Sequence, residues 1–322
     1  MNNRISVIIP LYNQEELVIE ALSSIEKQTL LPVEVIVVDD KSTDNSFKAA
    51  AAFAKTSALK ITVIENKHRK GPSGAINYGI SLAQGEYIAI LDSDDLWAPA
   101  HLDQLHQALE EERTADIAFS QIEVFGEARD MAQIAGAFAS SVAKCLEGGF
   151  EPKADHKWLS TDNLTRTLLI QGFPFRCQAS LIRKDFFAGR RLYFDEDILF
   201  CQDAQFIIMA SYWTKFIYIG LTGLKWRRHA GNEGDCQHQN IIAASFSRRV
   251  IKLKKYFSDK NLRKDERKAL WDYLGRVQRE AIRLHLIQGK NCRAFYEILK
   301  GICLFPGFSN IKATAGVVLK RS

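Results

Sequence analysis

The chain has no CxxC pair, no GxGxxG loop and no uncharged stretch of about 18 residues. Its six cysteines (Cys145, Cys177, Cys201, Cys236, Cys292, Cys303) are scattered, which argues for free thiols in a reducing compartment rather than a disulfide framework. Without a long apolar run, a transmembrane helix is not expected. Met1, Asn2, Asn3 and Arg4 lead into an apolar run broken by Pro10, too short and strand-like for a signal peptide. The expected location is therefore cytoplasmic. A nicotinamide site has little support without the glycine fingerprint. No internal repeat, low-complexity tract or nucleic-acid-binding motif is present, so no nucleic-acid partner is expected.

The chain does have a globular balance: 322 residues, 47% apolar and 25% charged. That length permits a substantial core. The net charge of +5 conceals an asymmetry. Residues 241–322 carry 19 Lys and Arg against 6 Asp and Glu, whereas residues 1–240 carry 24 against 32. The basic tail is a separate electrostatic object.

Two periods alternate in the first third. Ile5 to Ile9, Val33 to Val38, Leu59 to Ile64 and Tyr87 to Leu91 read as strands, with helical stretches near 15–27, 44–55, 72–83 and 99–112. Such alternation implies an α/β fold, with a mostly parallel sheet covered by helices on both faces. Ligands of such sheets bind beyond the carboxyl ends of the strands. Three of these exits are polar: Tyr12-Asn13, Asp39-Asp40 and Asp92 to Asp95. They are expected to meet in one crevice. A strand over 116–125 follows, then an irregular region over 126–160 expected to form a loop or short helices above the crevice. Phe200 to Tyr212 reads as a helix carrying Asp203, Phe216 to Ile219 and Gly223 to Arg228 as two strands, and the chain beyond 240 as basic helix.

Asp92, Asp94 and Asp95 follow a run fit for burial. One acid would serve as a turn or cap, but three repel each other, and buried carboxylates need donors or a cation. Hard oxygen ligands suit Mg²⁺ or Mn²⁺. Asp40, emerging from Val37-Val38, can accept from a nucleobase N–H or a ribose hydroxyl, although a turn with Asp44 as helix cap is also served by this stretch. Asp203 lies among Phe200, Phe206 and Ile207, and a partly desolvated carboxylate makes a better general base. Arg227 and His229 in Trp226-Arg227-Arg228-His229 are either diphosphate-neutralising groups or a solvated edge.

Taken together, four blocks resemble inverting family-2 glycosyltransferases of the GT-A fold: Ser6 to Asn13, Val37 to Asp44, Gly71 to Ile80 and Gly85 to Trp97. The resemblance covers roughly residues 4–230. It implies a nucleotide-sugar-binding half over 1–115, an acceptor-binding half with the catalytic base over 116–238, and a basic helical extension over 239–322. Pro10, Tyr12, Glu15, Asp40 and Asn77 would serve the nucleotide-sugar donor, with Asp92, Arg227 and His229 near ribose and diphosphate. Asp94 would be the metal ligand, assisted by Asp92 and Asp95, with Mn²⁺ or Mg²⁺ as cofactor. Asp203 would be the base that activates a glycan or lipid-linked acceptor.

Three positions depart from the family pattern: Ile76 for an arginine, Gln202 for the glutamate before the base, and Asn232 for a serine. A nucleotidyltransferase also uses strand-end acids and a metal, and a non-catalytic nucleotide-sugar-binding protein would tolerate Gln202. For the tail, Lys252, Lys254, Lys255, Arg263, Lys264, Arg267 and Lys268 are candidates for docking to an anionic membrane surface, with Phe305 and Phe308 as apolar anchors.

Overall fold

The structure is a computed structural model that describes residues 5–127, 131–172, 174–229, 239–287 and 294. The strands β1 (Ile5–Leu11), β2 (Glu34–Asp39), β3 (Ile61–Glu65) and β4 (Tyr87–Ile90) lie parallel in the order β3-β2-β1-β4. In β1 the strand period divides the side chains between two cores. Ile5, Val7, Ile9 and Leu11 pack with α1 (Leu17–Glu26) and α4 (His101–Glu111), whereas Ile8 packs with α3 (Pro72–Leu82). All five are 0% exposed, and each such burial stabilises the fold by about 1.5–3 kcal/mol. This two-sided burial is why the strand reads as nearly continuous apolar sequence. The helix α2 (Ser46–Thr56) completes the first βα units, with Asp44 accepting from the Ser46 N–H at its head, 3.0 Å.

The second half extends the same sheet to ten strands. β9 (Ser180–Arg183) runs antiparallel between β4 and β6 (Ala115–Gly126), joining the two halves edge to edge. β10 (Lys215–Arg228) pairs parallel with β6 and antiparallel with the two-residue β5 (Leu96–Trp97). β8 (Lys157–Ser160) and β7 (Phe150–Pro152) close the far edge. The fold is thus the expected α/β architecture, a mixed sheet whose first half is parallel.

Two local expectations differ from the structure. Residues 126–160 are not mainly loop: α5 (Met131–Gly149) is a helix of 19 residues. It contains five alanines and buries only Cys145 and Gly149, so helix propensity forms it without a readable apolar stripe. The two strands expected over 216–228 are one, β10, whose register against β6 shifts around Thr222. Gly223 sits at that irregularity because a Cβ there would stand 2.3 Å from both His101 Nδ1 and Ser120 Oγ.

The carboxyl-terminal helices α9 (Gln239–Phe257) and α10 (Lys264–Ile287) pack on elements of the second half. Val250, Leu253, Phe257, Leu270 and Leu274 share a core with Phe206 and Ile207 of α8 (Gln202–Ala210), with α6 (Leu164–Gln171) beside them. Among the described residues no helix is long and apolar enough to cross a membrane. Phe305 and Phe308 lie outside the described residues.

Candidate active site

The strand exits meet as the sequence implies. Backbone bonds lace them together: Asp40 N donates to Leu11 O at 2.7 Å, Asn66 N to Asp39 O at 2.8 Å, and Leu91 N to Ile8 O at 3.0 Å. The loop after β1 is stitched to the loop after β2. Asn13 N donates to Ser42 Oγ (3.0 Å), Thr43 N to Asn13 Oδ1 (2.8 Å), and Asn45 N to the Glu15 carboxylate (3.1 Å). Glu15 thus holds the start of α2. Tyr12 is 45% exposed, and Lys70 places its ammonium 4.4 Å from the ring centroid. Pro10 is half-buried at the same exit.

Asp40 is buried, and both its oxygens have partners. Asn66 Nδ2 donates to one at 2.7 Å and Gly71 N to the other at 2.7 Å. Gly71 has φ 129°, a conformation open to glycine, and this aims its N–H at Asp40. Asn77 is committed elsewhere: its amide bonds Phe194 O (2.8 Å), Phe194 N (3.1 Å) and Glu196 Oε1 (3.0 Å). It anchors the segment that leads to Asp203.

Beyond β4 the chain turns, with Asp95 N donating to Asp92 O at 3.1 Å, and re-enters the sheet as β5. The antiparallel register pairs Trp97 with Leu224 and Leu96 with Lys225. Continued outward, that register sets Arg227 opposite Asp94. Accordingly Arg227 N donates to Asp95 Oδ1 (2.8 Å) and Arg227 Nε to Asp94 O (2.9 Å). His229 Nε2 lies 3.0 Å from Asp94 Oδ2. The Arg227 guanidinium also reaches Glu20 at 2.6 Å.

Oxygens of Asp92, Asp94 and Asp95 lie within 4.8 Å of one another. Crowded, half-buried acids resist ionisation. Burial and then the neighbouring Asp94 raise the Asp92 carboxyl to about 6, against the lowering effect of Arg176 and of Gln178, whose Nε2 donates to it at 2.6 Å. Burial, Asp94 and Asp92 push Asp95 well above the usual carboxylate range.

Asp203 is the second residue of α8 and is 9% exposed. A helix amino terminus favours a carboxylate. Its link to the acid cluster is Arg176, which follows the break at Pro174-Phe175. Burial opposes charge on that guanidinium, but Asp203, Asp95 and Asp92 outweigh it and hold the arginine above its ordinary value. The Arg176 guanidinium also lies 4.4 Å from the Trp226 ring centroid. Asp92, Asp94, Asp95, Arg227 and His229 are therefore brought together, Asp203 acts on the same Arg176 as Asp92 and Asp95, and Asp40, Tyr12 and Glu15 lie at the neighbouring strand exits.

Sequence reading passed over Arg176, Gln178, Glu20 and Lys70. Arg176 left a signal: a basic residue inside the buried run Pro174-Phe175-Arg176-Cys177 needs acids around it. Gln178 left none, since it meets Asp92 only through the insertion of β9.

The sequence profile described as Glycosyl transferase family 2 matches residues 6–207. The glycosyltransferase GlyG of Streptococcus pneumoniae is 39% identical over 117 residues, which is 36% of this chain and 38% of that protein. The UDP-Glc:alpha-D-GlcNAc-diphosphoundecaprenol beta-1,3-glucosyltransferase WfgD of Escherichia coli is 39% identical over 93 residues, 29% of this chain and 36% of that protein. These matches span little more than a third of either relative. Among solved structures, S. aureus TarS 1-349 in complex with UDP-GlcNAc superposes with a TM-score of 0.53 at 19% identity, covering 93% of this chain and 91% of that one. With the profile matching well over half of its length, the chain belongs to glycosyl transferase family 2 and carries its GT-A-type fold.

Proposed function

We propose that the protein is an inverting glycosyltransferase, moving a sugar from a nucleoside-diphosphate sugar to an acceptor hydroxyl during polysaccharide or glycolipid assembly. The observation that carries this reading is the cluster of Asp92, Asp94 and Asp95, bound by Arg227 and His229 at the end of β10, with Arg176 feeling the charge of both the cluster and Asp203. A proton acceptor and a phosphate-holding acid cluster then face one reaction centre.

The residues fit a divalent cation. The donors are hard carboxylate oxygens, and the buried Asp95 Oδ2 has no hydrogen-bond partner among the described residues. Asp94, Asp92 and Asp95 would hold Mn²⁺ or Mg²⁺, which when bound offsets charge on the departing diphosphate. Asp203 takes the proton of the acceptor hydroxyl as it attacks the anomeric carbon, from the face opposite the leaving group. Arg227 and His229 flank Asp94 and offer N–H donors toward the diphosphate. Exchanging Glu20 for a phosphate oxygen is inexpensive for Arg227, because a half-exposed ion pair contributes about 1 kcal/mol or less. Tyr12, Glu15, Pro10 and Asp40 line the nucleoside end. Family membership removes support for the nucleotidyltransferase alternative.

The test is thermal stabilisation by UDP-glucose, UDP-GlcNAc, UDP-galactose and GDP-mannose with Mn²⁺. A saturating donor at a hundred times its Kd stabilises by about 2.7 kcal/mol. The donor that stabilises should then release nucleoside diphosphate, and proton NMR of the glycosylated product should show inverted anomeric configuration. Binding without any diphosphate release would mark a non-catalytic protein, and a retained configuration would overturn the single displacement.

A lipid-linked acceptor is supported by the similarity to WfgD, a glucosyltransferase named for its action on a diphosphoundecaprenol-linked sugar. It is also supported by the exposed Lys255, Arg263, Lys264, Arg267 and Lys268 on α9, α10 and their connection. Each basic group near an anionic surface contributes about 1 kcal/mol. The protein is expected to float with vesicles rich in anionic lipid at low salt and to release at high salt; failure to float at low salt would count against a peripheral membrane contact.

A further inference from the structure

The basic carboxyl-terminal part does not present all its charge outward. Arg249 of α9 is 4% exposed and points into the protein. One of its terminal nitrogens donates to the carbonyls of Phe200 at 3.1 Å and Cys201 at 2.8 Å. Cys201 is the residue before α8, and Asp203 lies two positions on. Its φ is 52°, in the left-handed region that non-glycine residues adopt when their surroundings hold them there. The Arg249 bond fixes the carbonyl of that same residue, and so fixes the direction from which α8 starts.

The rest of this segment is pinned at both sides. Toward the donor, Asn77 bonds Phe194 and Glu196, and His68 Nδ1 lies 2.9 Å from Glu196 Oε1. Toward α9, Lys252 reaches Asp195 at 3.1 Å and Asp197 at 3.0 Å. Among the described residues, Ser245 Oγ of α9 accepts from Leu199 N at 3.3 Å just before the turn that aims Asp203, and the Arg249 bonds fall at the turn itself. An arginine suits the task because one terminal nitrogen of its planar guanidinium carries two N–H groups in fixed directions, one for each carbonyl, which a freely rotating ammonium holds less well.

From this geometry we infer that Arg249 is a positioning residue for Asp203, making the carboxyl-terminal helix part of the active site. The inference rests on the reading of Asp203 as base. A base displaced by about 1 Å loses up to about 100-fold in rate. Donor contacts are made by other elements and should not change.

The test uses the full chain and needs no acceptor: release of nucleoside diphosphate to water from UDP-GlcNAc, UDP-glucose or GDP-mannose, whichever stabilises the protein. Arg249→Lys keeps charge and bulk, which guards against unfolding. Its expected result is a kcat lowered about 10- to 100-fold with donor KM within twofold of the wild type. In Arg249→Ala, millimolar guanidinium should restore part of kcat. Wild-type kcat in Arg249→Lys overturns the inference, as does a loss in KM alone or an absence of guanidinium rescue in Arg249→Ala that still binds donor. Asp203→Asn run alongside separates the two readings. If it remains active, the base assignment fails; if it is inactive while Arg249→Lys is fully active, only the positioning role fails.

Discussion

Asp203→Asn should lower the turnover of sugar transfer by about 10²- to 10⁴-fold, the usual contribution of a positioned general base. Donor affinity should be unchanged, because the nucleotide-side residues belong to other strand exits. The fold should survive. Asparagine has nearly the same shape, and a carboxylate at an exposed helix amino terminus contributes only about 0.3–1 kcal/mol, rising to about 2 kcal/mol when partly buried. That is small beside the 5–15 kcal/mol typical of a native protein. The comparison requires kcat from product formation and donor Kd from calorimetry on the same preparation. Turnover near the wild-type value would remove Asp203 as the base.

The second large effect concerns the acid cluster. Asp94→Ala should weaken Mn²⁺-dependent donor binding and lower kcat/KM by roughly 10²- to 10³-fold, equivalent to several kcal/mol of charge stabilisation. Chelator added to the wild type should cause a similar loss, and chelator added to the variant should cause little more. Two perturbations that strike one interaction do not add. Identical donor affinity with chelator and with Mn²⁺ would sink the metal assignment.

The same cluster sets a pH dependence. Asp92 titrates at about 6 in the folded protein, above the ordinary value of 3.8, so folding favours its protonated form. Ionising it as pH rises from about 4 to 6 costs the cation-free fold some stability. A cation needs the ionised carboxylate and must displace that proton. Apparent Mn²⁺ affinity should therefore fall as pH is lowered through about 6.

The parts of the site legible in the sequence are those formed within one βα unit. Asp40 and the Asp92–Asp95 cluster end buried strands, and strand exits point to one side of a parallel sheet. Asp203 stood out as a candidate because a lone acid beside Phe206 and Ile207 needs a reason, and it is buried as that position implies. What escaped depends on partners distant in sequence. Gln178 and Arg176 reach the acids only because β9 inserts antiparallel between β4 and β6. Lys252 read as a candidate for a membrane face, yet its ammonium bridges Asp195 and Asp197. Lys254 lies over the Trp271 ring at 5.2 Å. Charge composition counts basic groups without saying which way the helix turns them. Asn77 sits in a family-like block, but three bonds tie its amide to the 194–196 segment, a contact no local pattern encodes.

The insertion of β9 has a consequence for how such a protein can change its acceptor. Residues 180–183 belong to the second half, proposed above to receive the acceptor, yet their backbone completes the ladder of β4, a strand of the first half. Swapping in another protein's whole second half would strip β4 of its neighbour and leave an open, pairing-prone edge in the middle of the sheet. A chain that keeps β9 and varies the loops around it avoids that exposed edge.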